Sequence, residues 1–259
     1  MKFKDDFFKL VNKIKSNENF AFVRFSDGEI AIMQNKRLVL ADEHVILGET
    51  THNFGYTTRD HKSFDPEKHQ FLRDKLLEAY RYKADNYFVG STCRSCDCAS
   101  AEFKEWMLAE YGDIDESYTF ANLLVNSNYP LFVNHFMKSL EDKKVAIVCN
   151  QSADLSLMPF EVIKDFRVGK NCIVNDWHLV EDMKEYIRTN QIRDTIFLFA
   201  ASSLSEVLIY ELFKDYNQNT YIDIGTTMHK YMQMELARDY LKAYWNGGIH
   251  FELLRSCNE

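Results

Sequence analysis

Short apolar runs without polar–apolar alternation set the first constraint on this chain. They lie at residues 20–25, 87–90, 145–149, 171–174, 195–200 and 220–224. A strand with one wet face alternates, whereas a strand covered on both faces is apolar throughout. These runs therefore predict a mostly parallel sheet with helices on both faces. Helical spacing fills the intervals, at residues 66–83, 101–111, 129–140, 176–190, 203–216 and 228–245. The last of these stops at Asn246-Gly247-Gly248, a helix C-terminal signal. Strand and helix in alternation give an α/β class with a Rossmann-like, doubly wound sheet. There is no internal repeat and no linker rich in Gly, Ser or Pro. Residues 1–259 read as a single domain.

The first residues form an amphipathic helix, with Phe3, Phe7, Val11 and Ile14 on one stripe. Asp5 and Asp6 interrupt any apolar signal region, so no signal peptide is expected. No apolar run approaches the roughly 18 residues of a membrane span. The 6 cysteines then read as reduced, cytoplasmic thiols. A net charge of −8 counts against a surface built to cover nucleic acid. It suits a divalent cation that meets an anionic small substrate. With 9 Gly in the chain, neither G-x-G-x-x-G nor a Walker-type loop can be written. A nucleotide bound here needs another device.

Open parallel sheets bind ligands beyond the carboxyl ends of their strands. The segments to inspect are 26–29, 91–98, 150–152, 175–176, 201–203 and 225–227. In Asp27-Gly28-Glu29 two carboxylates flank a residue without a side chain, a pattern suited to Mg²⁺ or Mn²⁺ with diphosphate oxygens. The same stretch also reads as a Ser26-x-x-Glu29 capping box that opens a helix over 29–35. Asp113-Ile114-Asp115 follows a helix closing on Gly112 and reads as a solvated loop. Cys93, Cys96 and Cys98 have the spacing of a structural zinc site, with Cys149, Cys172 or a His as fourth ligand. The alternative is a turn of buried thiols. No two of the 8 His form a local metal pair, and His178 and His229 are the candidates for a base on an acceptor hydroxyl. Ser202 and Ser203 precede a helix whose free N–H groups suit a phosphate. They also read as N-caps, with Glu206 completing a capping box from Ser203.

Together these residues resemble a known family. Val23-Arg24-Phe25-Ser26-Asp27-Gly28-Glu29 is similar to the R-[FY]-G-D-G-E segment of the GT-D-fold glycosyltransferases, formerly a domain of unknown function. Residues 145–148 resemble the family's central strand, 196–212 its strand–turn–helix, and 221–225 its closing Asp-hydrophobic-Gly strand. The departures are Ser26 for Gly, Ala201-Ser202-Ser203 for a Gly-Pro-Thr type turn, and Cys149-Asn150 for an acidic-Gly pair. The middle of the chain, with its cysteines, looks closer to an uncharacterised subgroup.

The resemblance implies a metal-dependent glycosyltransferase using a nucleotide-diphosphate sugar. Asp27 and Glu29 would hold Mn²⁺ or Mg²⁺. Arg24, Ser26, Gly28, Asn126, Asn128, Ser202, Ser203, Thr226 and Thr227 would line the donor pocket. The acceptor stays open among a glycan, a lipid-linked glycan and a hydroxymethylated base of phage DNA. A non-catalytic Rossmann-like binding module with a zinc-stapled loop is the reading from another class.

Overall fold

A computed structural model describes residues 2–41, 44–52, 61–92 and 100–247 of the chain. Helix α1 (Lys2–Ser16) leads into strand β1 (Ala21–Arg24) and helix α2 (Asp27–Met33). Four short strands follow: β2 (Leu38–Ala41), β3 (His44–Leu47), β4 (Thr50–His52) and β5 (Ser63–Phe64). Then come α3 (Gln70–Arg81), β6 (Tyr87–Ser91), α4 (Ala101–Tyr111), β7 (Tyr118–Phe120) and α5 (Tyr129–Leu131). The remainder runs β8 (Val145–Asn150), β9 (Val162–Val168), α6 (Cys172–Asn175), α7 (Leu179–Thr189), β10 (Ile196–Phe199), α8 (Leu204–Asp215), β11 (Thr220–Asp223) and α9 (Asp239–Asn246).

The main sheet has 7 strands in the order β7-β6-β1-β11-β10-β8-β9. Every pairing in it is parallel. Val23, Val89, Val148, Phe197 and Tyr221 point to one face, in a core shared with α2, α3, α4, α7 and α8. Their neighbours Phe22, Phe88, Ile147, Leu198 and Ile222 point to the other, under α1, α9 and the helical stretch after β7. Both faces are dry, which is why the strands show no alternation. Helix α8 is the most enclosed of these helices: every residue from Leu204 to Phe213 is buried. It packs against both β1 and β11, the strands whose ends carry the polar cluster described below.

The structure corrects the expected elements in several places. Residues 171–174 are not a strand: Asn171 takes a left-handed conformation at φ 51° and starts the one-turn helix α6. A short apolar run fits either element, and the turn residues before it decide. The outer strand is β9, whose Lys164, Asp165 and Arg167 hid it from an apolar search. Charge suits an edge strand, because it discourages pairing with other chains. The 129–140 helix changes pitch, from α5 to a wide turn at Phe132–Phe136 and a tight one at Met137–Leu140. Over 228–245 only α9 is helical. The spacing of Met228 and Met232 comes from tight turns, which Gln233 ends at φ 54°.

The second sheet, antiparallel in the order β4-β3-β2-β5, was not anticipated at all. It sits between α2 and α3 and sends Leu38, Leu40, Val45 and Phe64 into the core beside α2 and α3. Helices α3 and α7 begin a few residues later than their periodicity suggested, at Gln70 and Leu179. No helix among the described residues is long and apolar enough to cross a membrane.

Candidate active site at the carboxyl edge of the sheet

The carboxyl ends of β1, β10 and β11 lie side by side, so Arg24, the 200–203 turn and Asp223 converge. Arg24 Nε donates to Asp223 Oδ2 at 3.0 Å, and the Gly225 amide donates to Asp223 Oδ1 at 2.8 Å. Burial works against the guanidinium charge, but the Asp223 carboxylate outweighs it and raises the Arg24 pKa. Burial likewise lifts Asp223, opposed by Arg24 and the Gly225 amide. We regard the two as a charged pair, since both carboxylate oxygens receive an N–H. Among the described residues the Nη1 and Nη2 groups of Arg24 donate to no protein atom. Gly225 sits over them at φ 50°, where a Cβ would fall on Nη2. The turn is glycine for two reasons: the backbone angle and the guanidinium beneath it.

Glu29 occupies the next position along this edge. The Ser26 amide donates to Glu29 Oε2 at 3.2 Å, completing the anticipated capping box, and the Ser26 hydroxyl donates to the same oxygen at 3.0 Å. The other oxygen, Oε1, accepts from Lys62 Nζ at 3.2 Å and from Ser203 Oγ at 2.5 Å. Lys62 also donates to Ser203 Oγ at 2.6 Å. Burial opposes the charge of Glu29, but Lys62, Ser203 and Ser26 together hold its carboxyl down at about 2. Gly28 makes room for the lysine, since a Cβ there would stand 3.1 Å from Nζ.

Lys62 is delivered by the small sheet. Its carbonyl accepts from the Leu40 amide at 2.7 Å, and the Ser63 amide after it donates to Asn171 Oδ1 at 2.9 Å. Beneath the cluster lies Glu206 of α8, with Oε2 buried and unpartnered. Burial, then the neighbouring Glu29 and Asp223, push its pKa well above the carboxylate range. The capping box expected from Ser203 to Glu206 does not form. Ser203 turns its hydroxyl to Glu29 instead, and Glu206 points into the core.

The other expected residues divide clearly. Thr226 reaches the edge of this site, its hydroxyl 2.7 Å from that of Tyr240. Thr227 is structural: its hydroxyl donates to the Ile224 carbonyl at 2.8 Å. Ser202 holds the turn before α8 at φ 50°. Asn128 donates to the Asn122 carbonyl at 3.1 Å, and Asn126 shapes the same turn at φ 54°. No described contact joins either asparagine to the Arg24–Glu29 cluster. His229 lies just past Thr227, with Nδ1 3.2 Å from the Glu235 carbonyl. His178 stands in solvent at the start of α7, its side chain 60% exposed and 3.9 Å from Asp182. The side chain of Asp27, and Cys93, Cys96 and Cys98, lie outside the described residues. Among the described residues no three His, Cys, Asp or Glu gather as a metal site. Cys149 and Cys172 are buried, and Cys172 donates to the Ala201 carbonyl at 2.9 Å.

Three members of the cluster were not among the residues expected to form the site. Lys62 is one lysine of many, in a segment without a motif. Glu206 is a glutamate inside an apolar helix, and that placement was the available hint. Asp223 stood at a strand end before a glycine, where ligands bind, and was the most legible of the three.

No protein-family model and no curated protein matches the chain. Solved structures do. One is described as a new glycosyltransferase (DUF1792) from Streptococcus sanguinis, at 15% identity and TM-score 0.58, covering 94% of this chain and 85% of that one. Another is described as the highly conserved domain of unknown function 1792 with a distinct glycosyltransferase fold. It matches at 15% identity and TM-score 0.56, over 93% of this chain and 81% of that one. This chain has that glycosyltransferase fold. Within it, the Arg24–Asp223 and Glu29–Lys62–Ser203 groups lie where an open α/β sheet binds its ligand.

Proposed function

We propose that this chain is a glycosyltransferase that moves a sugar from a nucleotide-diphosphate donor to an acceptor hydroxyl. The observation that carries the reading is Arg24. Its guanidinium spends one N–H on Asp223, and its remaining N–H groups, at the carboxyl edge of the sheet, have no protein partner among the described residues. A guanidinium fork of this kind matches phosphate oxygens in pairs. Thr226 on one side and the Ser202 turn at the start of α8 on the other supply further polar groups. In the reaction the acceptor oxygen bonds to the anomeric carbon. The bond from that carbon to the diphosphate breaks, and its electron pair leaves with the diphosphate. The acceptor proton passes to a base, for which His229 is our candidate.

Glu29 does not fit a resident Mn²⁺ or Mg²⁺. Its two oxygens already accept four hydrogen bonds, about the full capacity of a carboxylate. No step is therefore routed through a metal. A reducing, cytoplasmic setting suits the buried, unoxidised thiol of Cys149.

The test is a thermal-shift screen of nucleotide sugars, followed by donor hydrolysis with the selected one. A ligand at 100 times its Kd stabilises the fold by about 2.7 kcal/mol, and Arg24→Met should lose that gain. A chain that no nucleotide sugar stabilises, or an Arg24→Met variant that turns donor over normally, refutes the reading.

A further inference from the structure

Resting on the transferase reading, we infer that Lys62 is the built-in cation of this site, so that transfer needs no divalent metal at Glu29. The ammonium lies against Glu29 Oε1 and Ser203 Oγ, so a positive charge already sits at the carboxylate that a metal ion would need. It is enclosed: Lys62 is 5% exposed and Glu29 7%. A cation buried to this extent persists only against a matched anion, and a second cation at the same carboxylate meets repulsion instead.

Three features show that the position is built for the lysine. The backbone on either side of it is tied down, through Leu40 to Lys62 and through Ser63 to Asn171. Gly28 leaves the space that Nζ fills. Ser203 accepts from Lys62 and donates to Glu29, so its hydroxyl hydrogen is oriented by the pair. Lys62 thus performs the charge role of a metal. It neutralises the carboxylate that would repel an incoming diphosphate, while Arg24 is left to grip the diphosphate itself. Lys62 acts through Glu29 and Ser203 and is a positioning residue.

Two measurements on the full chain test this. The first titrates Mn²⁺ alone and reads free ion by electron paramagnetic resonance, with no donor present. The wild type should show no saturable binding. One bound equivalent that disappears in Glu29→Gln overturns the inference, whatever the enzyme's activity. The second follows donor turnover in excess chelator. Turnover should persist, fall about 10²-fold in Lys62→Met, and return in good part in Lys62→Arg, which keeps the charge. Turnover abolished by chelator and restored by Mn²⁺, or undiminished in a folded Lys62→Met, overturns it. If no nucleotide sugar is turned over under any condition, the transferase reading fails and the Mn²⁺ titration still decides the role of Lys62.

Discussion

Arg24 and Lys62 each lie against a glycine, and the two glycines make different predictions. Gly225→Ala forces a Cβ onto Arg24 at a left-handed φ, so both backbone and guanidinium must move. It should destabilise the fold by about 1–3 kcal/mol in urea denaturation and abolish donor-induced stabilisation. Gly28 has no such backbone demand, and its Cβ would meet only the tip of Lys62. Gly28→Ala should therefore keep the melting temperature within about 4 °C of wild type while turnover falls. Glu206 predicts a pH effect. It ionises near pH 4 in the unfolded chain and stays protonated well above that in the folded one, so the folded state binds the extra proton. Stability then falls as pH rises from the ordinary carboxylate range toward the raised value. Glu206→Gln removes that slope. Relative to wild type it should be more stable at pH 7 than at pH 4, read from denaturation curves at both. Glu29 acts in the opposite sense and lower down, since its contribution is lost as pH falls from about 4.5 toward 2.

At the scale of elements, the small antiparallel sheet is the part whose purpose is least visible from its own strands. It buries only a few side chains, yet it sets Lys62 beside Glu29. Asn171→Gly removes the bond that ties Ser63 to the body of the fold and keeps the left-handed backbone at that position. The expected cost is modest in stability, about 1 kcal/mol, but turnover should fall because Lys62 loses its fixed position. A variant with lost stability and unchanged turnover would show that the sheet is only a cover. Legibility also varied by element. The caps at Ser26, Gly112 and Gly247 were readable because a cap depends on residues within a turn of each other. Strand β9 and the 171–174 run were misplaced, because an exposed edge strand carries charge and a single apolar turn mimics a buried strand.

At the scale of the molecule, the sheet is sealed on both faces, and a buried thiol reports on that seal. Burial raises the Cys149 thiol to about 11, opposed by Arg167. Alkylation of Cys149 at pH 8, followed by peptide mass spectrometry, should be negligible in the native protein and rapid in denaturant. Its rate should track global unfolding, because β8 is buried and paired on both sides, with β10 and with β9. Labelling of the native protein at the rate of a free thiol would contradict the sheet order.

The parallel sheet, its two helical layers and the carboxyl edge at which the polar cluster gathers all followed from the order of residues. Apolar period and turn chemistry are local, and a strand dry on both faces leaves its mark in any short stretch of chain. The cluster itself came from elsewhere. Asp223 meets Arg24 across 199 positions, Ser203 meets Glu29 across 174, and Lys62 meets Glu29 across 33. Each pairing depends on which strand ends lie side by side and on where a small sheet folds back. Nothing in the neighbourhood of a lysine in the chain records which buried carboxylate it will face. From its spacing alone, Asp27-Gly28-Glu29 reads first as a helix cap, and the family resemblance is what turns it into a metal motif. The folded chain places a lysine at Glu29, because the starts of α2 and α8 and the small sheet come within reach of one another there.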